Sequence, residues 1–293
     1  MASDVRLAPV LSICIVNWNT KDDLRICLAS IAANPPSVEC EAIVVDNASS
    51  DGSAAMVCSE FTNVRLIANT QNLEYARGNN QAIEASRGEF ALLLNPDTEV
   101  RLRTLDRLLA FMRDHPEAGA AAPKLVNRDG SLQRSVRTFP TPAMLFFEAT
   151  GLARLLPRSG LFGRYRMTFW DYDSVREVDQ PMASALLLRR AALDQVGLFD
   201  EQFPMFFNDV DLCYRLQAAG WKIFFVPGAE VVHRVGASTR QVRPRMVRAS
   251  HQGLLAFYRK HYRGRTSAVV YGLTIAGIWL AGQVRWLASL LSR

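Results

Sequence analysis

Short apolar segments alternate with helix-like segments over residues 11–94, and this alternation limits the fold more than any other feature of the sequence. The apolar segments have the length of buried strands, and turns or helix-starting residues follow them. They are Leu11–Val16, Glu41–Val45, Val64–Ile67 and Phe90–Leu94. Strands that alternate with helices form parallel sheets that are covered on both faces. The sequence therefore predicts an α/β fold around a mostly parallel sheet, to which later apolar segments add strands at Ala183–Leu188, Trp221–Val226 and Glu230–Val232.

Polar clusters directly follow three of the early strands, at residues 17–20, 46–53 and 95–98. In open α/β sheets, ligands bind beyond the carboxyl ends of the strands. We therefore expect the functional site at the edge of the sheet where these clusters meet.

Two carboxylates in these clusters are candidates for ligand binding. Asp97 follows a strand with Asn95 two residues earlier, and such oxygens suit Mg²⁺ or Mn²⁺ that also binds substrate phosphates. The alternative is a simple Asn-Pro-Asp turn. Asp46 can accept hydrogen bonds from a nucleobase or a ribose hydroxyl, or it can cap the following helix.

Two further titratable residues stand out later in the chain. Asp209 follows Phe206 and Phe207, whose rings would partly desolvate the carboxylate and raise its basicity, as a general base requires. Its alternative role is an acid that favours the first turn of a helix. His233 ends a strand, where it is either a structural histidine or a ligand for the same cation.

Cysteine usage and the start of the chain indicate the compartment. The five cysteines contain no Cys-x-x-Cys pair, which favours reduced thiols and a reducing environment. The first residues lack the order of a signal peptide, so we expect a cytoplasmic protein.

The C-terminal part of the chain differs in charge from the rest. Residues 231–293 contain eleven Lys or Arg and no acid, which leaves 23 basic and 28 acidic residues for residues 1–230. A basic amphipathic helix is predicted over Pro244–Tyr262, and Ser267–Val284 is uncharged. We divide the chain into a body, 1–238, and C-terminal helices, 239–293. A tail of this kind suits an anionic membrane surface, and we expect no nucleic-acid partner.

Three roles for the uncharged segment remain open. Its length as a helix is about 27 Å, which is marginal for a bilayer core of about 30 Å. It is an in-plane membrane helix, a dimerisation helix or a true span. The first is favoured and implies peripheral attachment at the inner face of the cell membrane; the second implies a homodimer.

Seven motifs, taken together, resemble the family 2 glycosyltransferases between Leu11 and Ser238. They are SICIVNWNT, IVVDNASSDGS, NLEYARGNNQAI, FALLLNPDTEV, VGLFDEQF, NDVDLCYRLQAAGW and VVHRVGAST. The NPD, GSLQRS and His-containing variants look most like the rhamnosyltransferase branch. The resemblance implies a GT-A nucleotide-sugar fold, here with a C-terminal helical extension.

The resemblance also implies a reaction and the residues that perform it. It implies inverting transfer from a nucleotide-sugar donor with Mg²⁺ or Mn²⁺, with Asp209 as catalytic base and Asp97 and His233 on the metal. Donor-binding positions are Asn17, Asn19, Asp46, Gly78, Asn79 and Asn95. Acceptor-side positions are Asp211, Ala183 and Ser184, with Asp211 also the second candidate for the base.

Three departures from the family pattern concern the site. Glu74 and Ala183 stand where glycine is usual, and Asn208 replaces an acid before the predicted base, which would lower the pKa of Asp209.

The rhamnosyltransferase branch implies dTDP-rhamnose as donor and a glycan or polyprenyl-linked acceptor in polysaccharide or cell-wall synthesis. The alternatives are a UDP- or GDP-hexose transferase and a non-catalytic scaffold that binds sugar nucleotides.

Overall fold

A nine-stranded sheet lies at the centre of the computed structural model, which describes residues 9–234 and 243–291. The strands are β1 (Leu11–Asn17), β2 (Cys40–Asp46), β3 (Arg65–Ala68), β4 (Phe90–Leu94), β5 (Thr98–Val100), β6 (Ala118–Val126), β7 (Val136–Arg137), β8 (Arg176–Glu177), β9 (Gln180–Pro181), β10 (Ala185–Arg189) and β11 (Lys222–His233). The helices are α1 (Lys21–Ala33), α2 (Ser53–Glu60), α3 (Glu74–Ala85), α4 (Thr104–Asp114), α5 (Pro142–Thr150), α6 (Leu152–Leu155), α7 (Arg190–Val196), α8 (Asn208–Ala218), α9 (Arg243–His261) and α10 (Ala268–Leu291).

The predicted α/β fold is confirmed, and the sheet is parallel in its first half. Its order is β3-β2-β1-β4-β10-β6-β11-β5, with β8 beside β11 and a separate β7-β9 pair. Strands β3, β2, β1 and β4 run parallel, whereas β10 lies antiparallel between β4 and β6. The chain reaches β10 through the irregular segment after β6 and not through a strand–helix–strand crossover. Only a crossover would require β10 to run parallel to its neighbours, so β10 can lie antiparallel to β4.

The last two predicted strands are one strand in the structure. β11 runs beside β6 over its whole length, with a shift of register between Val226 and Glu230. The Pro227-Gly228 pair looks like a turn in the sequence, but here it belongs to a local irregularity of the kind that a β-bulge produces. This continuity carries His233 to the edge of the sheet beside β5.

Side chains on the two faces of the sheet form two separate cores. Leu92 packs with helix α1 on one face, whereas its neighbour Leu93 packs with α3 and α8 on the other. The buried thiols of Cys14 and Cys27 belong to these cores, and burial raises the pKa of each to about 12. All five cysteines are free.

A third apolar cluster joins the C-terminal helices to the rest of the fold. Phe203 and Val210 from the body pack with Phe257 and Tyr258 of α9 and with Ile278 of α10. The predicted amphipathic helix is therefore present, and its apolar face is buried against the body. The predicted boundary at residues 238 and 239 lies outside the described residues.

Candidate active site

The ends of β1 and β2 are joined by a network of polar side chains. Asn17 and Asp46 are paired in register, and Nδ2 of Asn17 donates to Oδ1 of Asp46 over 2.8 Å. Oδ1 of Asn17 accepts from Thr20, and Oδ2 of Asp46 accepts from the amide of Ser49. Asn17 is fully buried with its amide satisfied on both sides. It therefore orients Asp46 through a satisfied hydrogen-bond network, and its place among the donor-binding residues stays a prediction.

Asn19 fixes the loop that borders this network. Its Oδ1 accepts from the amide of Ser50 over 2.8 Å, and its own amide donates to Oγ of Ser49. Asn19 has a φ of 52°, in the left-handed region that asparagine tolerates better than most residues. The loop lies at the strand ends, where donor binding is predicted.

Two buried oxygen atoms lie at the end of β4 without a hydrogen-bond partner among the described residues. They are Oδ1 of Asn95 and Oδ1 of Asp97. Buried polar atoms are nearly always paired, so each such atom requires an explanation. A cation bound by both oxygens supplies one.

His233 lies beside this pair because β11 runs antiparallel to β5, with His233 opposite Thr98. Nε2 of His233 is 3.4 Å from Oδ1 of Asp97. Gln133 fixes the histidine ring: its Nε2 donates to the carbonyl of His233 over 2.5 Å and to Oδ1 of Asn127 over 2.7 Å. Its Oε1, 2.9 Å from Nδ1, therefore accepts the Nδ1 proton, and in the neutral ring the lone pair is then on Nε2, on the side of Asp97.

The donor set fits Mg²⁺ or Mn²⁺ that is shared with a substrate. Among residues 9–234 and 243–291, no three His, Cys, Asp or Glu side chains form a cluster that could hold a metal. Asp97, His233 and Asn95 thus provide a partial shell. Mg²⁺ in proteins characteristically has one or two carboxylates and completes its shell with water and substrate phosphates.

Asp209 lies in the first turn of α8, where burial raises the pKa of its carboxyl in the predicted direction. The amides of Val210 and Ala183, with Arg137, act in the opposite sense and stabilise the charged form. Asn208 accepts a hydrogen bond from the Asp209 amide over 2.7 Å and donates to the carbonyl of Phe203, so it fixes the backbone here. Despite the loss of the neighbouring acid at position 208, the net shift of the Asp209 pKa is upward.

The segment at residues 183 and 184 connects the base side of the site to the metal side. The amide of Ala183 is 3.4 Å from Oδ2 of Asp209, and the carbonyl of Ser184 accepts from the amide of Asn95 over 2.9 Å. The hydroxyl of Tyr75 donates to the carbonyl of Ala183 over 3.0 Å. Ala183 and Ser184 therefore connect Asp209 to Asn95, and their acceptor-side role stays a prediction.

Helix α3 holds two of the predicted donor-binding residues, Gly78 and Asn79, in packing and hydrogen-bond contacts, and their donor-binding role stays a prediction. A Cβ on Gly78 would lie 2.8 Å from Cγ1 of Val16, so this glycine permits close packing of α3 on β1. Asn79 is buried, and its Nδ2 donates to the carbonyl of Tyr75. Both residues thus hold the helix in place. Glu74, which begins α3, has a φ of 65° and keeps the left-handed conformation that a glycine would adopt freely.

Asp211, predicted on the acceptor side and as the second candidate for the base, lies in a cluster of three basic side chains, and both roles stay predictions. It is fully buried, with Arg215, Lys260 and His261 each 2.7 Å from its carboxylate. Burial alone would raise the pKa of Asp211, but the hydrogen bonds from His261, Lys260 and Arg215 outweigh it and lower the pKa to about 2. A carboxylate held in this way is a poor proton acceptor.

Comparisons with known proteins agree with this geometry. Residues 12–175 match Glycosyl transferase family 2. The N-acetylglucosaminyl-diphospho-decaprenol L-rhamnosyltransferase of Mycobacterium tuberculosis (strain ATCC 25618 / H37Rv) is 32% identical over 273 residues, which cover 88% of this chain and 87% of the relative. Rhamnosyltransferase WbbL of Escherichia coli (strain K12) is 26% identical over 148 residues, or 50% of this chain and 52% of WbbL.

A solved structure shares the fold. The mannosyltransferase PcManGT from Pyrobaculum calidifontis, in complex with GDP-Man and Mn²⁺, aligns with a TM-score of 0.60 at 16% identity, over 98% of this chain and 76% of that one. At this identity the likeness concerns the fold alone. The chain belongs to glycosyl transferase family 2 and is a glycosyltransferase with the GT-A fold.

Proposed function

We propose that this protein is a metal-dependent, inverting rhamnosyltransferase that takes its sugar from dTDP-rhamnose. The proposed metal is supported by two buried oxygens, Oδ1 of Asn95 and Oδ1 of Asp97, which have no hydrogen-bond partner within the described part of the chain and lie beside Nε2 of His233. The choice of rhamnose as the transferred sugar is supported by the rhamnosyltransferase from Mycobacterium tuberculosis, which aligns with 88% of this chain.

The proposed reaction needs one displacement step. Asp209 takes the proton from the acceptor hydroxyl while that oxygen forms a bond to the anomeric carbon. The bond from that carbon to the diphosphate oxygen breaks on the opposite face, so the nucleoside diphosphate leaves and the configuration inverts. A divalent cation held by Asp97, His233 and Asn95 would neutralise charge on the leaving diphosphate. The raised pKa of Asp209 supports its role, since a general base works best when its pKa approaches the working pH.

We further propose a polyprenyl-diphosphate-linked sugar as acceptor and attachment at the inner face of the cell membrane. The relative's name includes an acceptor of this class. Apolar side chains of α10 such as Leu273 and Trp279 are 70% and 56% exposed, and the segment Ala268–Leu290 is by length and composition apolar enough to cross a membrane. Arg259, Arg263 and Arg265 lie shortly before α10, where they can meet anionic lipid.

The test combines a donor screen with product analysis. The purified 293-residue chain is incubated with dTDP-rhamnose, UDP-hexoses or GDP-hexoses, a vesicle-embedded polyprenyl-diphosphate N-acetylglucosamine, and Mn²⁺ or Mg²⁺. We expect transfer from dTDP-rhamnose, with inversion at the anomeric carbon visible by NMR. Transfer from a UDP- or GDP-hexose instead would reject the donor. Donor binding without transfer to any acceptor would favour a scaffold.

A further inference from the structure

We propose that helix α9 is part of the catalytic machinery, because it positions the segment 199–211 that carries Asp209. The inference rests on the proposed role of Asp209 as base. The residues of α9 are positioning residues that act through this segment. Contacts on both sides of the segment 199–211 and at its middle support the proposal.

Helix α3 holds one side of the segment. The side-chain amide of Asn80 both donates to the carbonyl of Phe199 and accepts from its amide, each over 2.9 Å. Farther along, the amides of Tyr75 and Ala76 donate to the carbonyl of Pro204 over 3.1 and 3.0 Å. These bonds connect the segment to the helix whose Tyr75 also contacts Ala183.

Helix α9 holds the other side through two consecutive residues near its end. Nζ of Lys260 is 2.6 Å from Oδ2 of Asp200 and 2.7 Å from Oδ1 of Asp211, so one ammonium group joins the start of the segment to its end. Nε2 of His261 contacts the same Oδ1 of Asp211 over 2.7 Å. Asp211 follows Asp209 by two residues and is fully buried, so its position is tightly coupled to these partners.

Between these ends, α9 packs directly on the backbone that precedes the base. A Cβ on Gly253 would lie 2.9 Å from the carbonyl oxygen of Phe206 and 3.0 Å from Cδ2 of Phe207. Phe207, at the N-terminus of α8, has a φ of 68°, a left-handed conformation that a phenylalanine keeps only when its surroundings enforce it. Gly253 permits the close approach that enforces it.

The first experiment compares Gly253→Ala with the control Gly160→Ala, because a Cβ on Gly160 would have no atom of the described residues within 4 Å. In Gly253→Ala we expect kcat to fall by about tenfold or more, since a small displacement of a catalytic group is costly, while the KM for the donor stays within about twofold. Hydrogen exchange should become faster in peptides covering residues 200–212. Gly160→Ala should change none of these.

A second pair of variants keeps the test independent of whether Gly253→Ala folds. His261→Leu removes the donor to Asp211, whereas His261→Gln retains an N–H in its place. We expect His261→Leu to show the same lower kcat and the same faster hydrogen exchange over residues 200–212 as Gly253→Ala. His261→Gln should restore part of the kcat and part of the protection from exchange, although the two variants at position 261 melt at similar temperatures.

Two results would overturn the inference. One is an unchanged kcat and unchanged exchange over 200–212 in both Gly253→Ala and His261→Leu. The other is faster exchange throughout the chain with parallel losses in kcat and donor affinity, which indicates general destabilisation. If the wild type transfers no sugar from any donor, the proposed function fails, while the exchange measurements still test whether α9 holds this segment.

Discussion

Oδ1 of Asp97 and Nε2 of His233 lie 3.4 Å apart at the edge of the sheet, and with the neutral imidazole protonated on Nδ1 both atoms are hydrogen-bond acceptors. The separation is too long for a strong hydrogen bond. It is close to the distance of about 3 Å between neighbouring ligands around an octahedral Mg²⁺. Without a cation, the Asp97 oxygen is a buried acceptor with no donor among the described residues.

Replacing Asp97 by alanine should remove metal-dependent transfer and leave the fold intact. Oδ1 of Asp97 makes no hydrogen bond to any residue that the structure describes, so its removal should cost little stability. We expect a loss of transfer of at least about 10²-fold, on the scale of losing a major electrostatic contribution. The measurement is transfer with Mn²⁺ and with chelator, beside the melting temperature, and the control is exposed Asp114→Ala. Full activity of wild type in chelator would reject the metal.

Replacing Gln133 by leucine should weaken metal binding without removing any proposed ligand. Gln133 accepts the Nδ1 proton of His233 and thereby keeps Nε2 free for a cation. Partners of this kind typically contribute about 10- to 100-fold in metal affinity or activity. Titration of Mn²⁺ followed by electron paramagnetic resonance measures the change. Gln133→Glu retains the acceptor and should bind Mn²⁺ more tightly than Gln133→Leu; equal affinity in all three proteins would exclude the role.

Replacing Asp209 by asparagine should lower kcat by at least about 10²-fold and leave donor affinity nearly unchanged, because the base acts on the acceptor hydroxyl. Steady-state kinetics and donor titration separate the two effects. A preserved kcat with weaker donor binding would show that Asp209 binds the donor and is not the general base.

The pH profile of the wild type provides the control for this variant. A general base must be ionised, and burial raises the pKa of Asp209. The rate should therefore fall on acidification at a pH above about 3.9, the ordinary pKa of an aspartate. Asp209→Asn should lack this acid limb in its residual activity.

Replacing Asp211 by asparagine should destabilise the fold in a pH-dependent manner. The pKa of Asp211 is lowered to about 2, so its ionised form contributes stability above about pH 4 that is lost as the pH falls toward 2. At pH 7 we expect a loss of about 3 kcal/mol, the scale for breaking a buried pair. Urea unfolding at pH 7, 5 and 3 measures the free energy. The difference from wild type should shrink at pH 3, and exposed Asp194→Asn should show neither effect.

Replacing Leu273 and Leu280 by glutamine should release the protein from anionic vesicles. These side chains of α10 are 70% and 59% exposed, so the change removes apolar surface that can enter a membrane and costs the fold little. Co-sedimentation should weaken by at least about tenfold, and wild-type binding should fall with salt. Leu102→Gln, at a side chain 72% exposed on the body, is the matched control. Unchanged vesicle binding together with loss of a dimer in light scattering would assign α10 to dimerisation.

The parts of the fold that sequence predicted are those with local causes. Apolar strands that end in polar clusters predicted β1, β2 and β4 and the edge where Asp46 and Asp97 lie. The aromatic residues before Asp209 predicted the raised pKa of its carboxyl. Each of these depends on a few neighbours in the chain.

The contacts that the sequence did not predict involve partners that are distant in the chain. Gly78 is determined by Val16 across the helix–sheet contact, and Asp211 by Lys260 and His261, about fifty residues away. Gln133 meets His233 because β11 continues past the irregularity at Pro227-Gly228, and its polar motif GSLQRS was the available signal. The pattern of apolar and polar residues within one segment of the sequence does not predict such contacts.

The pairing of Asp211 with Lys260 and His261 has a consequence for how the enzyme is made. A ribosome delivers Asp209 and Asp211 well before the end of α9, and domains generally fold as the chain emerges. Until Lys260 and His261 emerge, Asp211 cannot form two of the ion pairs that it has in the folded state, so burying its charge at the start of α8 is costly. The ends of β1, β2 and β4, where the donor is proposed to bind, come earlier in the chain and can form without Lys260 and His261. During translation, a site for the sugar nucleotide can therefore form before the means of transferring the sugar.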